Sequence, residues 1–356
     1  MKKIFKKIMI FIITFVMMTS TLMHHNVKMT SAILNIGTRK SVDVGVLLNN
    51  FYNPYNLLIK KKLEDIQKEN ENKINFTFFD GKANPAIESE IVNNMLKSNY
   101  DLLVLGVVDE DQPKLTEEFV YKAKQKNTPL IFLNLNPAIS NTIKSYPKSI
   151  AINNDSVQAG ILQGNMIVDA WNTDKKNIDK NGDNIMEYIM IKGQPSSFAA
   201  TERTKNSIST INKAGIITKE LEEVRANWNP DLAKSIVEQL YLKYSNKIEV
   251  IIANNDAMAM GAIQALQKYG YNMGDKTKSI PVFGIGGVPE TQELIKKGFM
   301  AGTVSQNARD FADAIYSIGM NLALSKDPLE GTNYKFDKTG VIITIPFQEY
   351  ISQYTK

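Results

Sequence analysis

The stretch "KIEVIIANNDAMAMGAIQAL", residues 247–266, decides the fold of this chain. It opens with β-branched and aliphatic residues, continues with a short polar group, and ends in a run with helical spacing. A buried apolar strand followed directly by a helix is typical of parallel sheets covered by helices. Because ligands bind beyond the carboxyl ends of such strands, the polar residues that follow the strand predict a ligand-binding edge.

Strand and helix patterns alternate through the rest of the chain in two series. The first series contains "VDVGVLL" (42–48), "INFTFFD" (74–80), "DLLVLGVV" (101–108) and "TPLIFLN" (128–134). The second begins near residue 149 and contains "SIAI", "EYIMIKG", the stretch quoted first and "SIPVFGIGG". Two series predict an α/β fold with two doubly wound parallel-sheet lobes and a cleft between them. No long Pro/Gly/Ser linker separates the series, so short hinge strands are expected.

The first 31 residues have the pattern of a signal peptide. Four lysines precede an apolar run, residues 8–18, and small polar residues follow near residue 30. The run is shorter than the roughly 20 residues that span a bilayer, which favours cleavage, although an uncleaved anchor stays open. The chain is therefore expected to be exported, to a periplasm or to the outer face of the cytoplasmic membrane.

Charge and composition exclude several functions for the exported chain. The net charge of +5 belongs to residues 1–31, which hold five lysines and no acidic residue, so the remainder is formally neutral. A neutral chain lacks the basic surface that nucleic acid binding requires. The chain has no Cys, and both histidines, His24 and His25, precede residue 32. A Ser-His-Asp triad, a Cys-His pair and an ordinary zinc site are therefore excluded, which leaves carboxylate, Lys or Tyr chemistry as the remaining enzymatic routes. No enzymatic activity is expected.

The stretch "DKNGDNIME", residues 179–187, resembles half of a helix-loop-helix calcium loop. Its oxygen donors alternate along the chain: Asp179, Asn181, Asp183, the carbonyl of Ile185, and Glu187. Asn184 stands where such loops carry Gly, and Asn tolerates the left-handed backbone. Met190 stands where the closing acid belongs, so the last carboxylate must come from elsewhere. An ordinary surface turn is the alternative interpretation.

The stretch quoted first closely resembles the galactose/glucose-binding proteins of bacterial ABC importers and chemotaxis. The half-loop, "SIPVFGIGGVPE" and "AGTVSQNA" extend the likeness from about Val42 to the C-terminus. The resemblance implies a type I periplasmic binding protein with a three-segment hinge and structural Ca²⁺, for which Glu249 supplies the sixth ligand. It implies an N-terminal lobe of residues 40–152 plus 308–340, and a calcium-binding lobe of residues 153–306 plus 342–354. Crossings between the lobes are expected near residues 153, 306 and 340.

The resemblance also implies a set of sugar-binding residues at strand ends. Four residues agree with the family's pattern: Asn134, Arg203, Trp228 and Asn255. Tyr55 stands at the family's stacking-aromatic position, while Asn49, Asn53, Ser197 and Gln306 replace other family residues at theirs. Each has an alternative interpretation, such as a turn residue for Asn134 or a solvated charge for Arg203. Asp256 is expected to cap the next helix rather than bind the ligand.

Three acidic residues of the family's sugar site are missing from this chain. Their positions hold Asn53, Ala199 and Gly286. A lost charged hydrogen bond costs about 1.5–3 kcal/mol, so tight glucose binding requires compensation or the ligand differs. The main functional hypothesis is a monomeric, monosaccharide-binding protein that closes on its ligand and delivers it to a membrane ABC permease. The alternative is a ligand-sensing subunit for a membrane histidine kinase or chemoreceptor.

Overall fold

The computed structural model describes residues 41–107 and 113–354. The predicted signal peptide, residues 1–31, lies outside these ranges. Among the helices of the described ranges, none combines the length and the apolar character needed to cross a bilayer.

The first lobe is built on a parallel sheet. Its described strands are β1 (Val42–Leu48), β2 (Ile74–Asp80), β3 (Leu102–Leu105), β4 (Leu130–Leu133), β5 (Ser149–Asn154) and β11 (Ile342–Ile345). They lie in the order β2-β1-β3-β4-β5-β11. The helices are α1 (Pro54–Glu69), α2 (Pro85–Lys97), α3 (Pro113–Lys126), α4 (Ser140–Lys144) and α10 (Ala308–Ala323), with a 3-10 turn at Pro137–Ile139.

The second lobe repeats this plan. Its described strands are β6 (Ile185–Lys192), β7 (Ile217–Arg225), β8 (Val250–Ala253), β9 (Val282–Gly286), β10 (Gly302–Ser305) and β12 (Tyr350–Ser352). They lie in the order β7-β6-β8-β9-β10-β12, parallel except for β12. The helices are α5 (Ser156–Ile178), α6 (Phe198–Lys213), α7 (Pro230–Tyr244), α8 (Asp256–Gln267) and α9 (Pro289–Lys296), with 3-10 turns at Ser245–Lys247 and Lys276–Lys278.

Apolar side chains cover both faces of each sheet, which explains the continuous apolar runs in the sequence. Along β1, Val44 and Val46 enter one hydrophobic cluster with Phe311 of α10. Leu47 enters a cluster on the opposite face, with Phe119 of α3. Neighbouring residues of a strand point to opposite faces, so most residues of a doubly covered strand are apolar. The prediction of two doubly wound lobes is confirmed.

The edge strand β7 was not predicted. Its sequence, "ITKELEEVR", contains five charged residues and most of its side chains are exposed or half-buried. Charged residues at a sheet edge oppose pairing with other chains. A search for apolar runs therefore passes over a strand of this kind.

The chain crosses between the lobes three times, as predicted, but the third crossing lies elsewhere than expected. The crossings follow β5, separate β10 from α10, and separate β11 from β12. The prediction that residues 342–354 all belong to the second lobe is wrong for β11, because Ile342–Ile345 pairs in parallel with β5. Gly340, with φ +78°, lies in the turn before β11. The crossing lies at residues 346–349, where Phe347 N donates to Gln158 Oε1 (2.7 Å).

Candidate functional site: a cavity between the two sheets

A cavity of about 100 Å³ lies where the loops that follow strands of both sheets meet. Asn49 follows β1 and Asn134 follows β4 in the first lobe, while Asn255 follows β8 in the second. Both sheets reverse their strand order beside β1 and β6, at the switch point where open α/β sheets bind ligands. Polar residues from both lobes therefore line one cavity.

The structure brings most of the predicted sugar-site residues together. Eight of them line the cavity: Asn49, Asn53, Tyr55, Asn134, Arg203, Trp228, Asn255 and Gln306. Ser197 is not among the residues that line it. Its side chain is 1% exposed, and its Oγ accepts a hydrogen bond from Ala200 N (3.3 Å), which caps α6. Ser197 therefore serves the helix at this place rather than the cavity wall.

Several cavity residues also cap helices. Asn53 Oδ1 accepts from Tyr55 N (3.0 Å) at the start of α1. Asn255 Oδ1 accepts from Met258 N (3.0 Å) at the start of α8, so Asn255 is the N-cap there. The prediction that Asp256 caps this helix is wrong. An N-cap needs a side-chain oxygen turned back toward the first turn, and Asn255 already supplies it.

The Asp256 carboxyl instead accepts hydrogen bonds from other residues of the second lobe. Its Oδ1 accepts from Thr303 Oγ1 (2.6 Å), and its Oδ2 accepts from Thr291 Oγ1 (2.8 Å) and Val288 N (3.1 Å). Burial raises the pKa of this carboxyl above its usual range, against the effect of these hydrogen bonds. Asp256 also explains Gly286, because a Cβ there would lie 2.8 Å from Asp256 Oδ2.

Arg203 connects the ligand cavity with the hinge. Its Nη1 donates to the backbone oxygen of Asn254 (2.9 Å), and the side chain is 8% exposed. The guanidinium carbon lies 5.8 Å from the centroid of the Trp228 ring and 5.4 Å from that of the Phe347 ring. Phe347 belongs to the third crossing, so the cation contacts both a cavity aromatic and a hinge aromatic.

Trp228 is held in a restricted position. Its backbone has φ +64°, which is uncommon for a bulky residue, and its side chain is 9% exposed. Gly193 allows the ring to lie against the backbone, because a Cβ at Gly193 would come within 2.5 Å of three ring atoms. The Tyr55 hydroxyl is also buried and has no hydrogen-bond partner among the described residues. Burial raises its pKa, which keeps it protonated.

Two further amide side chains, which the sequence analysis did not identify, also line the cavity. Asn154 is the last residue of β5, and Asn56 lies in the first turn of α1. The rule that residues at strand ends face the ligand would have found Asn154. Asn56 lies one turn into a helix, where the sequence carried no such signal.

The loop at residues 179–187 has part of the predicted cation-site geometry. Asn184 takes the left-handed backbone expected of it, with φ +63°. Asp179 is 8% exposed, and its buried Oδ1 has no hydrogen-bond partner within the described residues. Burial raises the pKa of Glu249, and the charges of Asp179 and Glu187 raise it further. The carboxyls of Asp179 and Glu187 therefore act on Glu249 from within this loop.

The side chains predicted to bind the cation make hydrogen bonds and an ion pair with other groups of the protein. Glu249 accepts from Lys180 N (2.7 Å) and Glu187 N (3.0 Å), and Glu187 Oε1 pairs with Lys219 Nζ (2.6 Å). Asn181 and Asp183 accept hydrogen bonds from backbone amides of the loop, and Ile185 is the first residue of β6. Within residues 41–107 and 113–354, no three acidic or histidine side chains lie close enough to hold a metal ion as they stand.

Comparison with known proteins identifies the family. A family model described as "Periplasmic binding protein domain" matches residues 44–327. The D-galactose/methyl-galactoside binding periplasmic protein of Haemophilus influenzae is 30% identical over 305 residues, which cover 85% of this chain and 88% of that protein. The D-allose-binding periplasmic protein of Escherichia coli is 23% identical over 294 residues, covering 82% and 88%.

Solved structures agree with the fold. An ABC transporter periplasmic solute binding protein from Actinobacillus succinogenes, with bound D-allose, superposes with a TM-score of 0.70 at 18% identity, covering 87% of this chain and 97% of that one. An ABC transporter solute binding protein from Bacillus halodurans, with bound myo-inositol, gives a TM-score of 0.68 at 20% identity, covering 88% and 96%. From its fold and its match over residues 44–327, the chain belongs to the periplasmic binding protein family, a family of binding proteins rather than enzymes.

Proposed function

We propose that this protein is an extracytoplasmic monosaccharide-binding protein that delivers its sugar to an ABC importer. The observation that carries the proposal is the cavity between the two sheets, which gathers Arg203, Trp228 and several amides from both lobes. Amide and guanidinium groups bond hydroxyl groups, and an aromatic face packs against the apolar face of a sugar ring. The Haemophilus influenzae relative, a galactose-binding periplasmic protein, supports this ligand class.

Lobe closure follows from the same geometry. A ligand in the cavity contacts Asn134 of the first lobe and Asn255 of the second at the same time. Such a ligand binds the closed arrangement more tightly than the open one, so it shifts the population toward closure. Arg203 lies between the cavity and Phe347 of the hinge, and thereby connects ligand binding with hinge position. The closed form is the one that would dock on the membrane permease.

A melting experiment tests this proposal. The chain from residue 32 onward contains both sheets and all their described hydrophobic clusters, and it is refolded to remove bound ligand. A ligand at a hundred times its Kd stabilises a protein by about 2.7 kcal/mol, which raises the melting temperature by a few degrees. We expect such a rise with at least one compound from a panel of hexoses, pentoses, deoxy sugars and sugar acids. No rise with any compound would contradict the proposal.

We also propose that the loop at residues 179–187 binds a structural Ca²⁺. The ligands would be the side chains of Asp179, Asn181, Asp183, Glu187 and Glu249 and the carbonyl of Ile185. Support comes from the unpartnered Oδ1 of Asp179 and from the charges that converge on Glu249. Hard oxygen donors in this number suit Ca²⁺ better than Mg²⁺, which demands an octahedron. The ion would stabilise the second lobe by binding only its folded state.

Replacing Glu249 by Gln tests the calcium proposal. We expect the substitution to lower the melting temperature in Ca²⁺ much more than in chelator, because it removes a ligand charge and with it the stabilisation by bound ion. The control is Glu238→Gln, which breaks a surface pair with Lys268 and should cost about 0–1 kcal/mol in both conditions. Equal losses for Glu249→Gln with and without Ca²⁺ would count against the site.

Partner and location are proposed on the same basis. The chain would act outside the cytoplasmic membrane, as a monomer, beside an ABC permease. A role as a sensing subunit for a histidine kinase stays a prediction from the sequence, and neither the galactose-binding nor the allose-binding relative favours it.

A further inference from the structure

The amide side chains of the cavity have fixed orientations. A backbone N–H can only donate, so an Asn that bonds one must present its oxygen, and its nitrogen then points elsewhere. Asn134 Oδ1 accepts from the backbone N of Asn154 (3.0 Å) and also from Asn154 Nδ2 (2.9 Å). Asn255 Oδ1 accepts from Met258 N (3.0 Å). In both residues the oxygen is engaged, and the Nδ2 group is left for the cavity that they line.

Asn49 and Asn53, which follow β1, also have their side-chain oxygens engaged by hydrogen bonds. Asn53 Oδ1 accepts from Tyr55 N (3.0 Å). Asn56 Nδ2 donates to the backbone oxygen of Asn50 (2.9 Å), which fixes the Asn56 amide, and it donates to Asn49 Oδ1 (2.6 Å) as well. Asn49 Oδ1 also accepts from Asn50 Nδ2 (3.1 Å). Asn49 and Asn53 therefore also keep their Nδ2 groups for the cavity.

The cavity wall is thus richer in donors than in acceptors. Four amide nitrogens can donate, those of Asn49, Asn53, Asn134 and Asn255, whereas the uncommitted side-chain amide oxygens are those of Asn56, Asn154 and Gln306. Asp256 is the only acidic side chain that lines the cavity among the described residues, and both its oxygens already accept bonds from the second lobe. A sugar hydroxyl accepts hydrogen bonds but also carries an O–H donor that needs an acceptor, so a neutral sugar adds donors to a wall that is already short of acceptors, whereas a carboxylate only accepts.

Two helix N-termini add positive potential at the same place. Asn53 and Pro54 begin α1, Asn255 and Asp256 begin α8, and all four line the cavity. The aligned peptide dipoles of a helix favour negative charge at its N-terminus. Asn255 is 8% exposed, and its Oδ1 is held by Met258 N, so its Nδ2 is left for the cavity. An acceptor-only anionic group would satisfy it.

From this donor excess we propose that the ligand carries a carboxylate, so that the protein binds a sugar acid, such as a uronic or aldonic acid. The inference rests on the proposed sugar-binding function and adds the chemical class of the ligand. The carboxylate accepts from Asn134 and Asn255 across the two lobes, and the hydroxyl groups of the acid bond the remaining amides. The acids that the family resemblance implies at the positions of Asn53, Ala199 and Gly286 would repel such a ligand, so their absence is consistent with it.

Calorimetric titration with matched pairs tests this inference. The refolded chain from residue 32 is titrated with D-galactose against D-galacturonate and D-glucose against D-glucuronate, with D-gluconate as an aldonic acid and acetate as a bare carboxylate. We expect at least one acid to bind about tenfold or more tightly than its neutral partner, and acetate to bind weakly. A neutral sugar that binds as tightly as its acid would overturn this inference and leave the proposed function standing. If no sugar or sugar acid binds, both are overturned.

Two substitutions test the amide donors directly. Asn134→Asp and Asn255→Asp keep the oxygen that the backbone N–H needs, so the fold is retained, but each exchanges a donor for a negatively charged acceptor. We expect each to weaken the acid at least about tenfold more than the neutral sugar. The control is Asn84→Asp. Asn84 caps α2 by accepting from Ala86 N (2.9 Å), and it does not line the cavity. Equal losses for acid and neutral sugar at both positions would overturn the assigned donors.

Discussion

Replacing Arg203 by Ala is expected to weaken ligand binding by about a hundredfold. A hydrogen bond to a charged group contributes about 1.5–3 kcal/mol, and 1.4 kcal/mol corresponds to a factor of ten in Kd. The substitution also removes the cation from between the Trp228 and Phe347 rings, so the cavity aromatic loses its neighbour. Calorimetric titration with the compound that gives the largest melting shift measures the change.

Two further variants separate charge from geometry. Arg203→Lys keeps the positive charge but loses the planar fork, so its affinity should fall between those of the wild type and Arg203→Ala. Arg225→Ala removes an exposed arginine at the end of β7 and should leave affinity unchanged. If Arg203→Ala binds within threefold of the wild type, the cavity is not the ligand site.

Replacing Gly193 by Ala is expected to displace Trp228 and to impair both stability and binding. The new methyl group would come within 2.5 Å of three atoms of the indole ring, far inside van der Waals contact. Trp228 is 9% exposed, so neither the ring nor the backbone can move without disturbing its neighbours. Overpacking of this kind costs about 1–3 kcal/mol. Urea unfolding should show that loss, and calorimetry should show weaker binding.

Gly215→Ala serves as the control for this substitution. Gly215 has φ +85°, and a Cβ there meets no atom within 4 Å, so the change costs backbone strain without a clash. It should lower stability by about 1 kcal/mol and leave affinity unchanged. A Gly193→Ala variant with wild-type affinity would show that the ligand does not depend on the position of the Trp228 ring.

The sequence predicted the strands best where both faces of a sheet are covered. The boundaries of β1 match the quoted run at both ends, because Ser41 and Asn49 bound it. The edge strand β7 was missed, since its side chains face solvent and carry charge. The third crossing was misplaced because a turn at Gly340 looks, in sequence, like the end of a lobe. Only the pairing of β11 with β5 shows that the chain returns first to the first sheet.

The residue types of the cavity were predictable, but the direction of their hydrogen bonds was not. Position after a strand brought Asn134 and Asn255 into the cavity. Which atom of each amide faces the ligand depends on a backbone N–H supplied by β5 for Asn134 and by the first turn of α8 for Asn255. The family resemblance placed Ser197 in the site, but its hydroxyl accepts a hydrogen bond from the first turn of α6 instead. A single sequence does not show which backbone N–H group each side-chain oxygen will meet in the fold.

Small-angle X-ray scattering tests the central claim, that a ligand held between the lobes closes the protein. The refolded chain from residue 32 is measured alone and with a saturating concentration of the compound that gives the largest melting shift. The account predicts a smaller radius of gyration for the wild type with ligand, and a smaller decrease for Arg203→Ala at the same concentration, because the variant is only partly occupied there. An unchanged radius of gyration in the wild type, at a concentration where calorimetry shows full occupancy, would contradict it.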